Sequence, residues 1–197
     1  MEFKVPLDLG YAYCKILDLR HIRKFDGILV KVFDHIATHP IDDITPLGEK
    51  DWLFGARRMS SLPGTRGKGA WKVKGVLISK DDSKIPEYKY SINATESTKD
   101  HSTVGPWYVV SNINKVSERP LFYKQVQHLE DTHVTPKAGI EIRTAMEILR
   151  INNGEPANHF DLAVPINEIV INQVNNIPIY RTIPKEMRGR AIRHPLP

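Results

Sequence analysis

Two histidines, His35 and His39, stand four residues apart in the stretch HIATH. On a helix this spacing brings two metal ligands to one face, as in the HExxH metalloproteases. Here Pro40 follows directly, His35 ends a β-rich run, and the glutamate of that motif is absent. The pattern favours turn or surface histidines, and we expect neither a metal ion nor a cofactor.

A second cluster, HLEDTH at residues 128–133, combines two histidines with two acids. Five residues separate the histidines, so they would face different sides of a helix or of a strand. A loop could still bring them together into a site. The pattern is more typical of the polar end of a helix.

The stretch EPANHFD places His159 two residues before Asp161. A histidine oriented by a carboxylate is half of many catalytic arrangements. No serine or cysteine nucleophile is indicated nearby, and Cys14 lies on the apolar face of a predicted strand. A structural role is the favoured interpretation, and a hydrolase or nuclease around His159 and Asp161 stays an alternative.

Residues 60–74, SSLPGTRGKGAWKVK, bring three glycines and several cations together around a tryptophan. A phosphate-binding P-loop needs an earlier glycine followed by Gly-Lys-Ser/Thr, and it leads into a helix. Gly67-Lys68 is followed instead by Gly69, and the next segment is typical of a strand. We interpret the stretch as a loop between β-segments. A basic loop that contacts an acidic partner or a nucleic acid backbone is the alternative.

The chain carries a formal charge of +5, and its excess cations lie in two regions. Residues 57–74 contain six cations and no acid, and the C-terminal tail from residue 181 is also basic. Such a charge permits an acidic protein or a nucleic acid as partner. We expect these side chains to be exposed, and the candidate partner-binding residues are Arg57, Arg58, Arg66, Lys68, Arg188, Arg190 and Arg193.

Composition sets the broad class. Hydrophobic residues make up 41% of the 197 positions, enough for a core. No apolar run approaches the roughly 20 residues that cross a bilayer, and the N-terminus lacks the pattern of a secretory signal. A single cysteine permits no internal disulfide. We expect a cytoplasmic protein with no membrane partner.

The first half of the chain has the pattern of β-strands. FKVPL, GYAYCKILDL and GILVKVFDHI, with the turn signal Asp26-Gly27, predict an antiparallel meander. WKVKGVLIS predicts a clear strand, KIPEYKYSI an edge strand and PWYVVSNI a further strand. Six aromatic residues occupy predicted strand positions: Tyr11, Tyr13, Phe33, Trp71, Trp107 and Tyr108. This placement favours packing in the core, and a platform for stacking nucleic acid bases is the alternative.

The second half has the pattern of helices and an extended tail. The best helix spans residues 136–150, capped by Thr135 and packed through Ile142, Met146 and Leu149. FYKQVQHLED predicts a shorter helix, DLAVPINEIVINQV fits strand or helix, and prolines from residue 178 predict an extended tail.

The expected class is therefore α+β. A curved, mainly antiparallel sheet or half-open small barrel in residues 1–115 precedes a helix-containing extension in residues 116–197. We expect the two parts to pack together as one domain.

Several of these stretches together resemble the immunity protein 26 family of bacterial polymorphic-toxin systems. The likeness covers roughly residues 3–92 and lies in a short strand ending in VPL, then GYAYCKIL, DGILVKVFD, GAWKVKGVLI and KIPEYKY. Cys14 stands where the family pattern has glycine. The resemblance implies a non-enzymatic protein that binds and neutralises a cognate toxin.

Function is therefore expected to be protein–protein recognition. A net charge of +5 suits an acidic toxin, or one that is not a nuclease, because complementary potentials steer association. One alternative is a nucleic-acid-binding small barrel that uses the basic loop 57–74 and the C-terminal arginines. The other is the hydrolase around His159 and Asp161.

Overall fold

The computed structural model describes residues 1–19, 27–80, 82, 84–111 and 115–193, and in these ranges it has an α+β architecture. The strands form two antiparallel sheets that do not close into a barrel, which confirms the predicted class. The strands are β1 Glu2–Lys4, β2 Tyr11–Asp18, β3 Ile28–Ala37, β4 Arg57–Met59, β5 Tyr88–Tyr90, β6 Tyr108–Ser111 and β7 Lys115–Val116. The helices are α1 Tyr123–Val126, α2 Lys137–Ile151 and α3 Pro165–Asn175.

The first sheet has the strand order β1-β2-β3-β4. Its first three strands form the meander that the sequence predicts, and β4 is a further strand that the sequence pattern did not indicate. β2 and β3 pair along most of their lengths, with Cys14 opposite Val32. Both faces of this sheet are covered. One face packs against Ile140 of α2, and the other packs through Tyr13 against Leu47. The predicted turn at Asp26-Gly27 includes residue 26, which lies outside the described residues.

The second sheet, β5-β6-β7, is smaller and packs against α1. Trp107 and Val109 meet Val126 and Leu129 in one apolar cluster. The predicted edge strand KIPEYKYSI contributes only the short β5, and PWYVVSNI contributes β6, with its residues 112 and 113 outside the described ranges. The predicted short helix FYKQVQHLED contributes one α-helical turn, α1.

Helix α2 confirms the strongest helix prediction within one residue at each end. Ala145 and Met146 are fully buried, and Ile142 packs against α3. The predicted cap is wrong, because the Thr135 hydroxyl accepts hydrogen bonds from Arg57. Pro136 holds the cap position without a side-chain hydrogen bond. The ambiguous stretch DLAVPINEIVINQV forms α3.

The strand predicted over WKVKGVLIS does not form. Only Lys72 pairs, exchanging both backbone hydrogen bonds with Glu2 at 2.8 Å. Residues 73–78 run on without a neighbouring strand, and Val76 and Ile78 are 83% and 92% exposed. Alternating apolar residues show that a segment can form a β-strand. They do not show whether a second strand lies beside it to form the hydrogen bonds.

The basic tail folds back onto the body of the protein. It contains two short 3₁₀ turns, Tyr180–Thr182 and Lys185–Met187, between extended residues. Its Ile192 N–H donates to the carbonyl of Gln125 at 3.0 Å. None of the helices in the described ranges is long and apolar enough to span a bilayer.

The packing of α2 on the first sheet can be tested at Ile140, whose side chain is fully buried. Ile140→Ala should lower the free energy of unfolding by about 2–5 kcal/mol, because it leaves a cavity in the core. Ile78→Ala is the matched control and should change it by less than about 0.5 kcal/mol. Urea denaturation followed by tryptophan fluorescence measures both. Equal losses in the two variants would contradict this placement of α2.

Candidate functional site

A group of buried charged side chains links β4, α2 and the segment that precedes α2. Glu130 lies at its centre and accepts from Arg57 Nη1 at 2.9 Å. The guanidinium of Arg143 binds both oxygens of the same carboxylate, at 2.9 and 3.0 Å. Such two-pronged contacts are strong and fix the geometry of both partners. One carboxylate thus orders two arginines from different elements.

Asp131 extends this network toward the surface. Its carboxylate accepts from Arg57 Nη2 at 3.2 Å and lies 3.1 Å from His133 Nδ1. Burial opposes ionisation of Asp131, but the Arg57 guanidinium and His133 outweigh it and hold the pKa of this carboxyl below its usual range. The bond to Asp131 in turn raises the pKa of His133. The stretch HLEDTH therefore serves as an internal anchor.

The network continues along α2 through Glu147. Arg143 Nη2 lies 3.4 Å from Glu147 Oε1, and Arg150 Nε lies 3.8 Å from Oε2. Burial raises the pKa of Glu147 despite both arginines. The sequence pattern places no charge in the core of this helix, yet Arg143 and Glu147 are both buried.

Lys89 of β5 is a further buried cation with an unusual titration. Its ammonium donates to the carbonyls of Gln127 and Asn176, at 3.1 and 3.4 Å. Burial lowers the pKa of Lys89 to about 8. A lysine with such a pKa can act as a nucleophile, but this side chain is fully enclosed by protein. Its contacts support a structural role.

The expectation that Arg57 is exposed is wrong. Its side chain is 0% exposed, because Glu130, Asp131 and Thr135 surround the guanidinium. Arg58, the next residue of β4, is half-buried and donates to the carbonyl of Thr132 at 3.1 Å. Arg57 and Arg58 thus join β4 to the segment that precedes α2, and their guanidinium groups are not displayed on the surface as predicted.

A cleft of about 350 Å³ opens where the network approaches the surface. Glu130 and His128 line its floor, and the tail residues 180–190 form one wall. The Nε2 atom of His128 lies 2.7 Å from the carbonyl oxygen of Arg190, which ties the floor to the tail. Burial lowers the pKa of His128. The cleft is thus bounded by both halves of the chain.

The three predicted tail arginines meet acids at this cleft. Arg188 Nη1 lies 2.5 Å from Asp51 Oδ2, and its guanidinium stacks on the Tyr180 ring at 4.8 Å. The buried Glu87 carboxylate forms ion pairs with two arginines. Its Oε1 atom lies 2.5 Å from Arg193 Nη2 and 3.8 Å from Arg190 Nη1. Glu87 also accepts from the backbone N–H of Ala191 at 2.7 Å. The extended tail predicted by the prolines is therefore pinned in place.

The other two predicted contact residues, Arg66 and Lys68, lie on a separate exposed loop. Turns at Gly67 and Gly69, both with positive φ, shape this loop, as the sequence interpretation expected. Neither cation makes an ion pair with any residue that the structure describes. The loop leads through the buried Trp71 into residues 73–78, which we call the exposed segment.

His159 and Asp161 are both exposed and are not joined by a hydrogen bond among the described residues. The Asp161 carboxylate accepts from the backbone N–H of Ala163 at 2.9 Å and shapes a turn. Of the six aromatic residues, Tyr13, Phe33, Trp71 and Trp107 are buried, which confirms the core interpretation for these four.

Comparison with known proteins adds no assignment. No family model matches the chain, and no curated protein and no solved structure is detectably similar to it.

Removal of the charge on Glu130 tests the buried network. Glu130→Gln should lower the free energy of unfolding by about 3–5 kcal/mol, because Arg57 and Arg143 would lose a buried counter-charge. Glu155→Gln, at an exposed position, is the control and should change it by less than about 0.5 kcal/mol. Chemical denaturation at pH 7 measures both. A loss below about 1 kcal/mol for Glu130→Gln would contradict the central role of this carboxylate.

Asp131 should also make the fold sensitive to acid. Its pKa is lower in the folded protein than the value of about 3.9 in an unfolded chain. Its contribution to stability is therefore complete above about pH 4 and is lost as the pH falls below that value. Asp131→Asn should lower stability at pH 7 and flatten its decline between about pH 4 and pH 2.

Denaturant titrations across this pH range provide the test. Glu118→Gln, at an exposed position, should retain the full decline. An unchanged decline in Asp131→Asn would show that other carboxyl groups cause the acid sensitivity.

Proposed function

We propose that this chain is a non-enzymatic binding protein that neutralises a cognate bacterial toxin by direct protein contact. The observation that carries the proposal is the exposed segment, residues 73–78. Val73, Val76 and Ile78 hold their apolar side chains 66%, 83% and 92% exposed. Large apolar side chains grouped on a surface are typical of interaction sites.

The backbone of this segment is also available for pairing. At its start, Lys72 pairs with Glu2 of β1, an edge strand of the first sheet. Beyond Lys72, residues 73–78 make no backbone hydrogen bond to any part of the chain that the structure describes. A partner strand laid against this segment would satisfy those groups and cover the apolar side chains. Such strand addition is a common mode of protein recognition.

Charge selects the kind of partner. Arg66, Lys68 and Lys72 are exposed and precede the segment in the sequence. Positive potential attracts an acidic partner and raises its association rate. Two copies of this chain would bring like charges together at this face. These features favour a different, acidic protein over self-association.

The choice of a toxin as the partner rests on the resemblance to the immunity protein 26 family. That resemblance covers roughly residues 3–92, and the exposed segment and the basic loop both lie within that range. In that interpretation the partner is a cognate toxin of acidic surface, and neutralisation follows from occupying its surface.

Nucleic acid binding is the second candidate, favoured by the exposed cations Arg66, Lys68 and Lys72. Phosphate binding would use these cations but would leave Val76 and Ile78 without a role. The two candidates differ in salt dependence. Each phosphate contact lowers the logarithm of the affinity by about 0.7–0.9 per logarithmic unit of salt.

The direct test is a pulldown of the tagged full chain from native lysate, with and without nuclease, analysed by mass spectrometry. A stoichiometric protein partner should survive nuclease, and co-expression with that partner should abolish its toxicity. Recovery of nucleic acid, or loss of the partner on nuclease treatment, would overturn the proposal.

Variants in the exposed segment locate the interface. The double change Val76→Asp and Ile78→Asp should weaken partner binding at least about 30-fold, because it removes two apolar contacts and adds charges that repel an acidic partner. The matched control is Ile92→Asp with Val116→Asp, two exposed apolar residues of another region. Binding by surface plasmon resonance and folding by circular dichroism should be measured together. Equal weakening by both pairs would exclude the segment as the interface.

A further inference from the structure

One edge of β2 is open beyond Cys14. β1 pairs with residues 11–13 of β2, and Met1 and Cys14 exchange two backbone hydrogen bonds, at 2.5 and 2.8 Å. In an antiparallel ladder, alternate residues direct both backbone groups toward the same neighbour. Ile16 therefore directs its N–H and C=O toward the side of β1 and away from β3. No strand in the described ranges lies beside Ile16 on that side.

A cavity of about 150 Å³ adjoins this open edge. Residues 13–16 of β2 and residues 74–77, from the exposed segment, both line it. Apolar residues from elsewhere in the chain add to the lining, namely Phe33, Ile44 and Leu47. The cavity therefore connects the open edge of β2 to the segment on which the proposed function rests.

The lysines in the lining of this cavity are already paired. Lys15 Nζ lies 2.6 Å from Asp82 Oδ1, and Lys74 Nζ lies 3.3 Å from Asp42 Oδ1. An anion would have to compete with these carboxylates for the lysines. An apolar side chain needs no counter-charge and gains from leaving water. The cavity therefore suits an apolar side chain.

Two features select the molecule that fits here. Unpaired N–H and C=O groups on a strand edge are satisfied by another extended backbone, and such edges are templates for strand pairing. A second copy of this chain is disfavoured, because the exposed cations Arg66, Lys68 and Lys72 would repel their counterparts. The fitting molecule is thus a strand of a different protein.

We propose that an extended strand of the acidic partner pairs with the open edge of β2, in line with β1 and antiparallel to β2. The inference rests on the proposed function, because it names the part of the partner that binds. The strand residue opposite Ile16 exchanges two backbone hydrogen bonds with it. The residue opposite Lys15 directs an apolar side chain to the face of the sheet that carries Tyr13, where the cavity lies. Val76 lines the same cavity and contacts the bound strand.

Hydrogen exchange measured by NMR on the free full chain tests the open edge without any partner. The Ile16 amide should exchange at least about tenfold faster than the amides of Lys15 and Leu17, whose N–H groups face β3. Equal protection of Ile16 and Leu17 would show that this edge is not free and would overturn the proposal.

A synthetic peptide tests whether the edge accepts a strand. The probe is the heptapeptide Glu-Thr-Val-Thr-Val-Thr-Glu, acetylated and amidated at its ends. At about 5 mM it should slow exchange of the Ile16 amide at least about fivefold, which corresponds to a dissociation constant of about 1 mM or lower. The matched control has proline in place of the central threonine and should not slow it, because proline lacks the N–H for pairing. No slowing with the first peptide, or equal slowing with both, would overturn the proposal.

Two variants of one residue check the location. Ile16→Pro removes the N–H that faces the open edge and should weaken binding of the heptapeptide at least about tenfold. Ile16→Ala keeps that N–H and should bind within about threefold of the unchanged chain. Chemical-shift titration measures binding, and circular dichroism checks folding. Unchanged affinity in a folded Ile16→Pro variant would contradict this site, and if that variant does not fold, the peptide experiment on the unchanged chain decides.

The partner recovered by pulldown keeps this inference distinguishable from the proposed function. That partner should slow exchange of the Ile16 amide as the peptide does. A partner that binds and leaves Ile16 exchange unchanged would overturn this docking position and leave the proposed function standing. If the peptide protects Ile16 and no protein partner is recovered, the proposed function fails while the strand-docking edge is retained.

Discussion

The carboxylate of Glu130 is the point on which the rest of the structure depends. It joins Arg57 of the first sheet to Arg143 of the central helix α2. An ionised group in the interior is costly unless charges and hydrogen bonds surround it. Once these three charges are buried together, each element that carries one must hold its place. The helix, the sheet and the segment before the helix are thereby fixed to one another.

The same network shapes the surface above it. Glu130 lines the cleft, and Glu87 at the same cleft holds the tail through Arg193 and the backbone N–H of Ala191.

The buried charged residues comprise five acids and four cations among the described positions. The buried charges of the described residues therefore contribute nothing to the net charge of +5. Where the surface charge lies decides which partners the protein attracts.

The sequence pattern predicted those strands and helices that are determined by residues close together in the chain. Alternation identified β2, β-branched residues indicated β3, and apolar spacing identified α2, because each of these signals lies within the residues of the element itself. Arg57 was predicted to be exposed because it begins a basic run, whereas its partner Glu130 lies 73 residues away. Nothing in the sequence near either residue reports that pairing. The only local signal was HLEDTH, where two adjacent acids precede a helix. For the same reason, the alternation in WKVKGVLIS did not reveal that no strand lies beside it.

That last difference between pattern and structure bears on function. Strand edges are liabilities, and proteins protect them with lysines, which Lys72 and Lys74 provide here. Lys74 is held by Glu2 and Asp42, so its protection is built into the fold. Yet Val73, Val76 and Ile78 stay exposed between and beyond these lysines. A sequence that only had to avoid aggregation would place polar residues at these three positions. Lysines at the start of the segment, followed by exposed apolar side chains, form the arrangement that we propose accepts one acidic partner and repels other copies of this chain.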